Sequence, residues 1–147
     1  MHIQLFHCTE FAIESLEESN RPKGICSVKS VNSKKIYKEC LAVFTTVEKG
    51  DCDRNITNAI EEISKVYDRL RGKKVKANCN ELVVVPYAHQ RNVETNGKAA
   101  FGILNSVYEG LKNHYGHSVV FIGDFGFSNK WSIEVKSHKL SCLYREA

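Results

Sequence analysis

No apolar stretch in this 147-residue chain approaches the roughly 20 residues that a membrane-spanning helix needs, so no membrane partner is expected. The opening MHIQLFHCTE lacks the basic start and long apolar segment of a secretory signal. The six cysteines, at 8, 26, 40, 52, 79 and 142, include no C-x-x-C pair and no matching histidine spacing. No metal site is therefore expected, and the cysteines read as the reduced thiols of a cytoplasmic protein. There is no P-loop, no G-x-S-x-G elbow and no H-E-x-x-H. Repeats, low-complexity tracts and linkers are missing as well. What remains is one soluble domain, 42% apolar and 26% charged. At this size folding buries roughly 68–70% of the unfolded surface, enough to stand without disulfides.

The net charge of +4 is too mild to announce a nucleic-acid partner by itself. Its distribution says more. Residues 1–19 carry four glutamates and no lysine or arginine, whereas residues 20–39 hold Arg21, Lys23, Lys29, Lys34, Lys35 and Lys38 against Glu39 alone. A second cluster runs Arg69, Arg71, Lys73, Lys74 and Lys76. Such clusters suit a phosphate backbone, and equally a solvated face.

Hydrophobic periodicity predicts strands at 2–7, 25–31, 40–47 and 82–85, with a turn signal closing residues 10–24. Ile56, Ile60, Ile63, Tyr67 and Leu70 recur at three- and four-residue steps, predicting a helix with Asn55 as N-cap and Gly72 as C-cap. Ala100, Ile103, Leu104, Val107 and Leu111 predict a second helix over 99–115, stopped by Gly116. Three strands at 118–122, 131–135 and 140–144, joined as hairpins, close the chain. The expected class is α+β: an antiparallel or mixed sheet with two helices on one face. The stop at Tyr144-Arg145-Glu146-Ala147, directly after a strand, suggests an N-terminal module of a longer polypeptide.

Three places bear chemistry. His7-Cys8 ends the first predicted strand, but neighbours on a strand point to opposite faces. Cys8 is therefore better read as a small hydrophobe than as a thiol activated by His7, while His7 itself can line a pocket. Pro86-Tyr87-Ala88-His89 directly follows a buried strand, where sheet proteins often place binding residues. Ser128-Asn129-Lys130-Trp131 sets a lysine beside an aromatic, able to hold an anion or a water, or simply to sit at the surface.

Four stretches together carry a resemblance: Val43-Phe44-Thr45-Thr46-Val47-Glu48-Lys49, Ala59-Ile60-Glu61-Glu62-Ile63-Ser64-Lys65-Val66, Val84-Val85-Pro86-Tyr87-Ala88-His89, and the run from Ile103 to Lys112. In order and spacing the chain resembles the N-terminal editing domain of archaeal threonyl-tRNA synthetase from residue 1 to about 145, most weakly over 8–40. The resemblance implies a D-aminoacyl-tRNA deacylase-like fold, a homodimer in the family's manner, and remaining synthetase domains elsewhere in the full-length protein. It implies an enzyme, an aminoacyl-tRNA deacylase without cofactor, that hydrolyses serine from mischarged tRNA(Thr). The substrate is the 3′-terminal adenosine with serine attached. Such an activity answers a physical need, because the one methyl separating serine from threonine gives a synthetic site only about 1–3 kcal/mol of discrimination.

Carried over, His7, Pro86, Tyr87 and Ala88 bind substrate, Ala100 packs near the adenine, and Phe127, Asn129 and Trp131 complete the pocket. Backbone groups, the substrate 2′-hydroxyl and a lysine would place the water. An ungapped alignment puts Asn129 at the family lysine and Cys142 at the family glutamate. Shifting the turn by one residue restores a lysine, Lys130, and turns absorb one residue more easily than strands. Lys130 and His89 are the expected catalytic residues. The missing acid motivates an alternative, a catalytically degenerate tRNA-binding or dimerisation appendage. A true D-aminoacyl-tRNA deacylase is disfavoured because that family's serine-glutamine and glycine-proline motifs are absent.

Overall fold

The computed structural model describes residues 1–18, 34–72, 78–88 and 92–147. Its elements are β1 (His2–Glu18), β2 (Lys34–Thr46), α1 (Asp53–Arg71), β3 (Glu81–Pro86), α2 (Gly97–Tyr115), β4 (Val120–Ile122), β5 (Phe127–Val135) and β6 (Cys142–Glu146). The expected strand at 25–31 and the basic residues Arg21, Lys23, Lys29, Lys73, Lys74 and Lys76 lie outside the described residues.

The sheet runs β4-β3-β2-β1-β5, and β6 also pairs with β1. It is mixed: β2, β3 and β4 are parallel, whereas β1 is antiparallel to β2, β5 and β6. Along one side of β1, β6 takes the first half and β5 the second. The last three strands therefore are not successive hairpins. β4 and β5 occupy opposite edges, joined by residues 123–126. A link of that length reaches about 18 Å, while four strand spacings in a flat sheet are about 19 Å. The edges must be drawn toward each other, and the link is tied down across the sheet by Gly123 N–H to Val84 O at 2.8 Å.

β3 is apolar from Leu82 to Pro86, and residues 82–85 are buried on both faces. Leu82 and Val84 join the core under the helices, with Ile3, Leu5, Leu41, Val43, Ile63, Tyr67, Leu104 and Leu111. Val83 and Val85 join a second core with Phe11, Ile13, Tyr37, Ala42 and Phe44, against which Tyr87 and Trp131 pack. β1 continues well past His7. Its register with β5 shifts between Cys8 and Glu10, and Glu39, beside the same point on β2, has φ +49°. The alternation slips there, so that Cys8, Phe11 and Ile13 share one core.

The helices follow their periodicity with small changes at the ends. Cys52, rather than Asn55, is the N-cap of α1, and Asn55 Oδ1 accepts the Cys52 N–H at 3.1 Å. Gly72 caps its C-terminus. Asn96 caps α2, its Oδ1 accepting from Lys98 and Ala99 N–H, and Gly116 ends it at φ +102°. Gly110 lets the helices approach closely: a Cβ there would lie 2.4 Å from Ile60 Cδ1 of α1. No helix among the described residues is long and apolar enough to cross a membrane.

Candidate active site

A cavity of about 580 Å³ opens where β2 and β3 end, bounded by α2, the segment 93–95 and the start of β5. Thr45 and Val47 follow from β2, and Pro86, Tyr87 and Ala88 from β3. α2 contributes Gly97, Ala100 and Leu104. Asp124, Phe125, Gly126, Phe127, Ser128, Asn129 and Trp131 form the opposite wall. Parallel strands put this mouth at their carboxyl ends, the usual place for a ligand in sheets of this kind.

Aromatic packing holds the wall in place. Phe44, buried beneath, meets Tyr87 edge-on at 5.7 Å and Trp131 edge-on at 5.3 Å, and the latter two rings lie 5.8 Å apart. Each contact of this kind contributes roughly 0.5–1.5 kcal/mol beyond its burial. Trp131 Nε1–H is buried and has no hydrogen-bond partner among the described residues. Gly126 adopts φ +85°, a conformation that lets the backbone turn into β5 between two aromatic residues.

The polar part of the wall centres on Asp124, which is only 5% exposed. Its Oδ2 accepts the Ser15 hydroxyl at 2.8 Å, and its Oδ1 lies 3.4 Å from Lys35 Nζ. Ser15 Oγ is also 3.2 Å from Asn129 Oδ1, while Asn129 Nδ2 donates to Phe127 O at 3.2 Å.

Seven of the expected site residues meet here: Pro86, Tyr87, Ala88, Ala100, Phe127, Asn129 and Trp131. Lys130 does not join the wall. Asn129 and Trp131 alternate inward along β5, and Lys130 between them is exposed. Pairing with β1 sets this facing: Ser15 pairs with Asn129, Glu14 with Lys130 and Ile13 with Trp131. The irregularity beside this segment falls on β1, between Ser15 and Glu17, and β5 remains continuous. Cys142 lies on β6 opposite Phe6 and is exposed. His89 lies outside the described residues.

His7 is not in the cavity wall. It is mid-strand and fully buried. Its Nε2 is 2.8 Å from Asn78 O, and its Nδ1 is 2.7 Å from His138 Nε2. Leu140 N–H donates to His138 Nδ1 at 3.2 Å. These partners fix the tautomers: His7 donates from Nε2, and His138 Nε2–H donates to His7 Nδ1. Burial lowers the His7 pKa below 6.5, with the nearby Lys136 and His138 acting in the same direction against the Asn78 carbonyl. Cys8, also fully buried, donates to Phe6 O at 3.4 Å and packs in the second core. Among the described residues, no group of three His, Cys, Asp or Glu side chains is placed to hold a metal ion.

Ser15 and Asp124 are site residues that sequence reasoning passed over. Asp124 had a faint signal, an acid between two glycines directly after a strand. Ser15 had none, since the slipped alternation of β1 hid its facing.

Comparison with known proteins bears on the whole chain. It is 33% identical over 145 residues to the threonine–tRNA ligase editing subunit of Saccharolobus solfataricus, covering 99% of this chain and 34% of that protein. The threonine–tRNA ligases of Methanococcus maripaludis and Nanoarchaeum equitans are 39% and 36% identical over 111 and 110 residues. Those matches cover 74% and 75% of this chain and 16% of each ligase. The chain thus spans about a third or less of the length of these relatives. A solved structure of c-Myc DNA Unwinding Element Binding Protein superposes with a TM-score of 0.69 at 14% identity, covering 100% of this chain and 99% of that one. At that identity the match speaks for the fold alone, an α+β architecture with a mixed sheet and two helices. The family model for the archaea-specific editing domain of threonyl-tRNA synthetase matches residues 1–147, and the chain belongs to that family.

Proposed function

We propose that this domain is a proofreading deacylase that hydrolyses the ester of serine wrongly joined to tRNA(Thr). The observation that carries the reading is the cavity itself. It gathers Tyr87, Phe127 and Trp131 with Ala100 and Thr45 in a volume of about 580 Å³, within the roughly 300–1,000 Å³ typical of small-ligand sites. A terminal adenosine finds aromatic faces to stack on, each such contact contributing about 1–3 kcal/mol, and Ala100 leaves room for the base. The basic clusters are left to the tRNA backbone, alongside remaining synthetase domains and a second copy of the chain.

Ester hydrolysis needs a placed water and donors for the carbonyl oxygen as it becomes negative. No lysine, arginine or histidine side chain lines the cavity among the described residues. The donors in this reading are backbone N–H groups of the wall and the substrate's own 2′-hydroxyl. Backbone carbonyl groups of the wall supply acceptors for the water. Lys130, exposed on the other side of β5, takes no direct part.

The ungapped alignment, which sets Asn129 of the wall at the family lysine, also favours a second reading: a pocket that binds the charged tRNA end without turning it over. Release of labelled serine from seryl-tRNA(Thr), measured against spontaneous hydrolysis, separates the two. Acceleration supports the deacylase. Binding of a nonhydrolysable seryl-adenosine amide without any acceleration supports the appendage.

A further inference from the structure

The cavity wall holds more hydrogen-bond acceptors than donors. A serine hydroxyl has one proton, yet Ser15 Oγ faces Asp124 Oδ2 at 2.8 Å and Asn129 Oδ1 at 3.2 Å. The shorter contact and the greater strength of a bond to a carboxylate direct that proton to Asp124. The Asn129 amide cannot turn round without setting its oxygen against Phe127 O, to which Nδ2 now donates at 3.2 Å. Among the described residues its Oδ1 is therefore left without a donor. A carboxylate can accept about four hydrogen bonds, and among the described residues Asp124 accepts from Ser15 and Lys35. A second acid, Glu94, also lines the cavity, its Oε1 engaged by Asn96 N–H at 2.7 Å. The described wall contains two acids and no cation.

An adenosine brings mostly neutral polar groups to such a wall. The aminoacyl end is different, because it carries an α-ammonium, a compact cation with three donors. We propose that Asp124 and Asn129 Oδ1 form the subsite for the α-ammonium group of the aminoacyl ligand, held in shape by Ser15. The assignment rests on the aminoacyl-ester reading of the cavity and names the part of that ligand this wall selects. Ser15 fixes one carboxylate oxygen and spaces it from the amide oxygen, so the two acceptors converge on one small cation. Lys35 reaches Asp124 with an Nζ whose side chain is 42% exposed, so a ligand ammonium adds to the pair without displacing a buried charge. A free amino group becomes a requirement for binding, and N-blocked or deaminated acyl groups are rejected.

The test uses the unmodified domain and two ligands. One is seryl-adenosine with the ester replaced by a 3′-amide. The other is its isostere carrying a hydroxyl in place of the ammonium. Calorimetry is expected to show the amine binding at least about tenfold more tightly, as a charge-assisted contact implies. Asp124→Asn, which preserves shape and can still accept from Ser15, is expected to bring the two ligands within about twofold of each other. Lys35→Met, which removes the competing cation, keeps the preference for the amine. Equal binding of both ligands by the unmodified domain overturns the assignment, and that comparison needs no variant to fold. A preference that survives Asp124→Asn overturns it too. Binding of neither ligand overturns it together with the aminoacyl reading. A clear amine preference with no serine release from seryl-tRNA(Thr) leaves the subsite standing and sinks the deacylase.

Discussion

Asn129 and Lys130 are neighbours in sequence and face opposite ways on β5, Asn129 in the cavity wall and Lys130 in solvent. The pairing of Ser15 with Asn129 sets this facing. A one-residue slip would reverse it and would drive Trp131 out of its contact with Phe44. The aromatic core therefore decides which of the two residues meets the ligand.

That relationship predicts a contrast between two alanine variants. Lys130→Ala is expected to change single-turnover serine release by no more than about twofold, as for an exposed side chain away from the site. Asn129→Ala is expected to slow it about tenfold or more, corresponding to roughly 1.4 kcal/mol in the barrier. The reverse order in rapid-quench measurements would return the catalytic role to Lys130.

Trp131 offers a second test through its unpartnered Nε1–H. An unsatisfied buried donor costs about 1–3 kcal/mol. Trp131→Phe keeps an aromatic against Phe44 and removes that donor, so the loss of ring volume and the removal of the orphan oppose each other. Chemical denaturation is expected to show a stability change within about 1 kcal/mol, while serine release falls because the smaller ring offers the terminal adenosine less face to stack on. A large loss of stability with an unchanged rate would make the indole a packing element alone.

Gly126 turns the wall at φ +85°. Gly126→Ala is expected to cost about 1–2 kcal/mol of stability by forcing a side chain into the left-handed region, and to lower ligand affinity by displacing Phe127 and Asn129. A thermal melt and a binding isotherm that both match the unmodified domain would show that the turn tolerates the strain.

The buried pair His7–His138 predicts a pH dependence separate from the site. Because burial lowers the His7 pKa below 6.5, the unfolded chain binds the extra proton first as pH falls. The contribution of His7 to stability is complete above about pH 6.5 and declines as pH drops toward the folded-state value. A second proton on Nδ1 would also face the His138 Nε2–H, 2.7 Å away from nitrogen to nitrogen. Against His7→Gln, the unmodified domain is expected to keep its largest stability advantage near about pH 7.5 and a smaller one near about pH 5.5. An advantage constant across that range would mean that His7 does not titrate on unfolding.

How legible this was in the sequence depended on regularity. α1 and α2 were legible because one unbroken apolar stripe, such as Ile56 to Leu70, buries one face. Tyr87, Ala100 and Trp131, named on the strength of the resemblance, line the same cavity. β1 was not legible beyond His7, because the slip near Thr9 breaks the alternation on which a strand is read. Ser15 and the facing of Lys130 went with it, since both depend on pairing between residues more than a hundred positions apart. The edge-to-edge passage at 123–126 was hidden for the same reason: a short glycine-bearing link reads as a hairpin until the partner strands are known. Asp124 owes its importance to that passage.

The most direct test of the account is the ratio of serine to threonine release from tRNA(Thr) charged with each, under single-turnover conditions with the unmodified domain. The cavity is expected to release serine at least about tenfold faster, since excluding one methyl from a fitted pocket is worth roughly 1–3 kcal/mol. Equal rates for the two amino acids, or no acceleration of either, would contradict it.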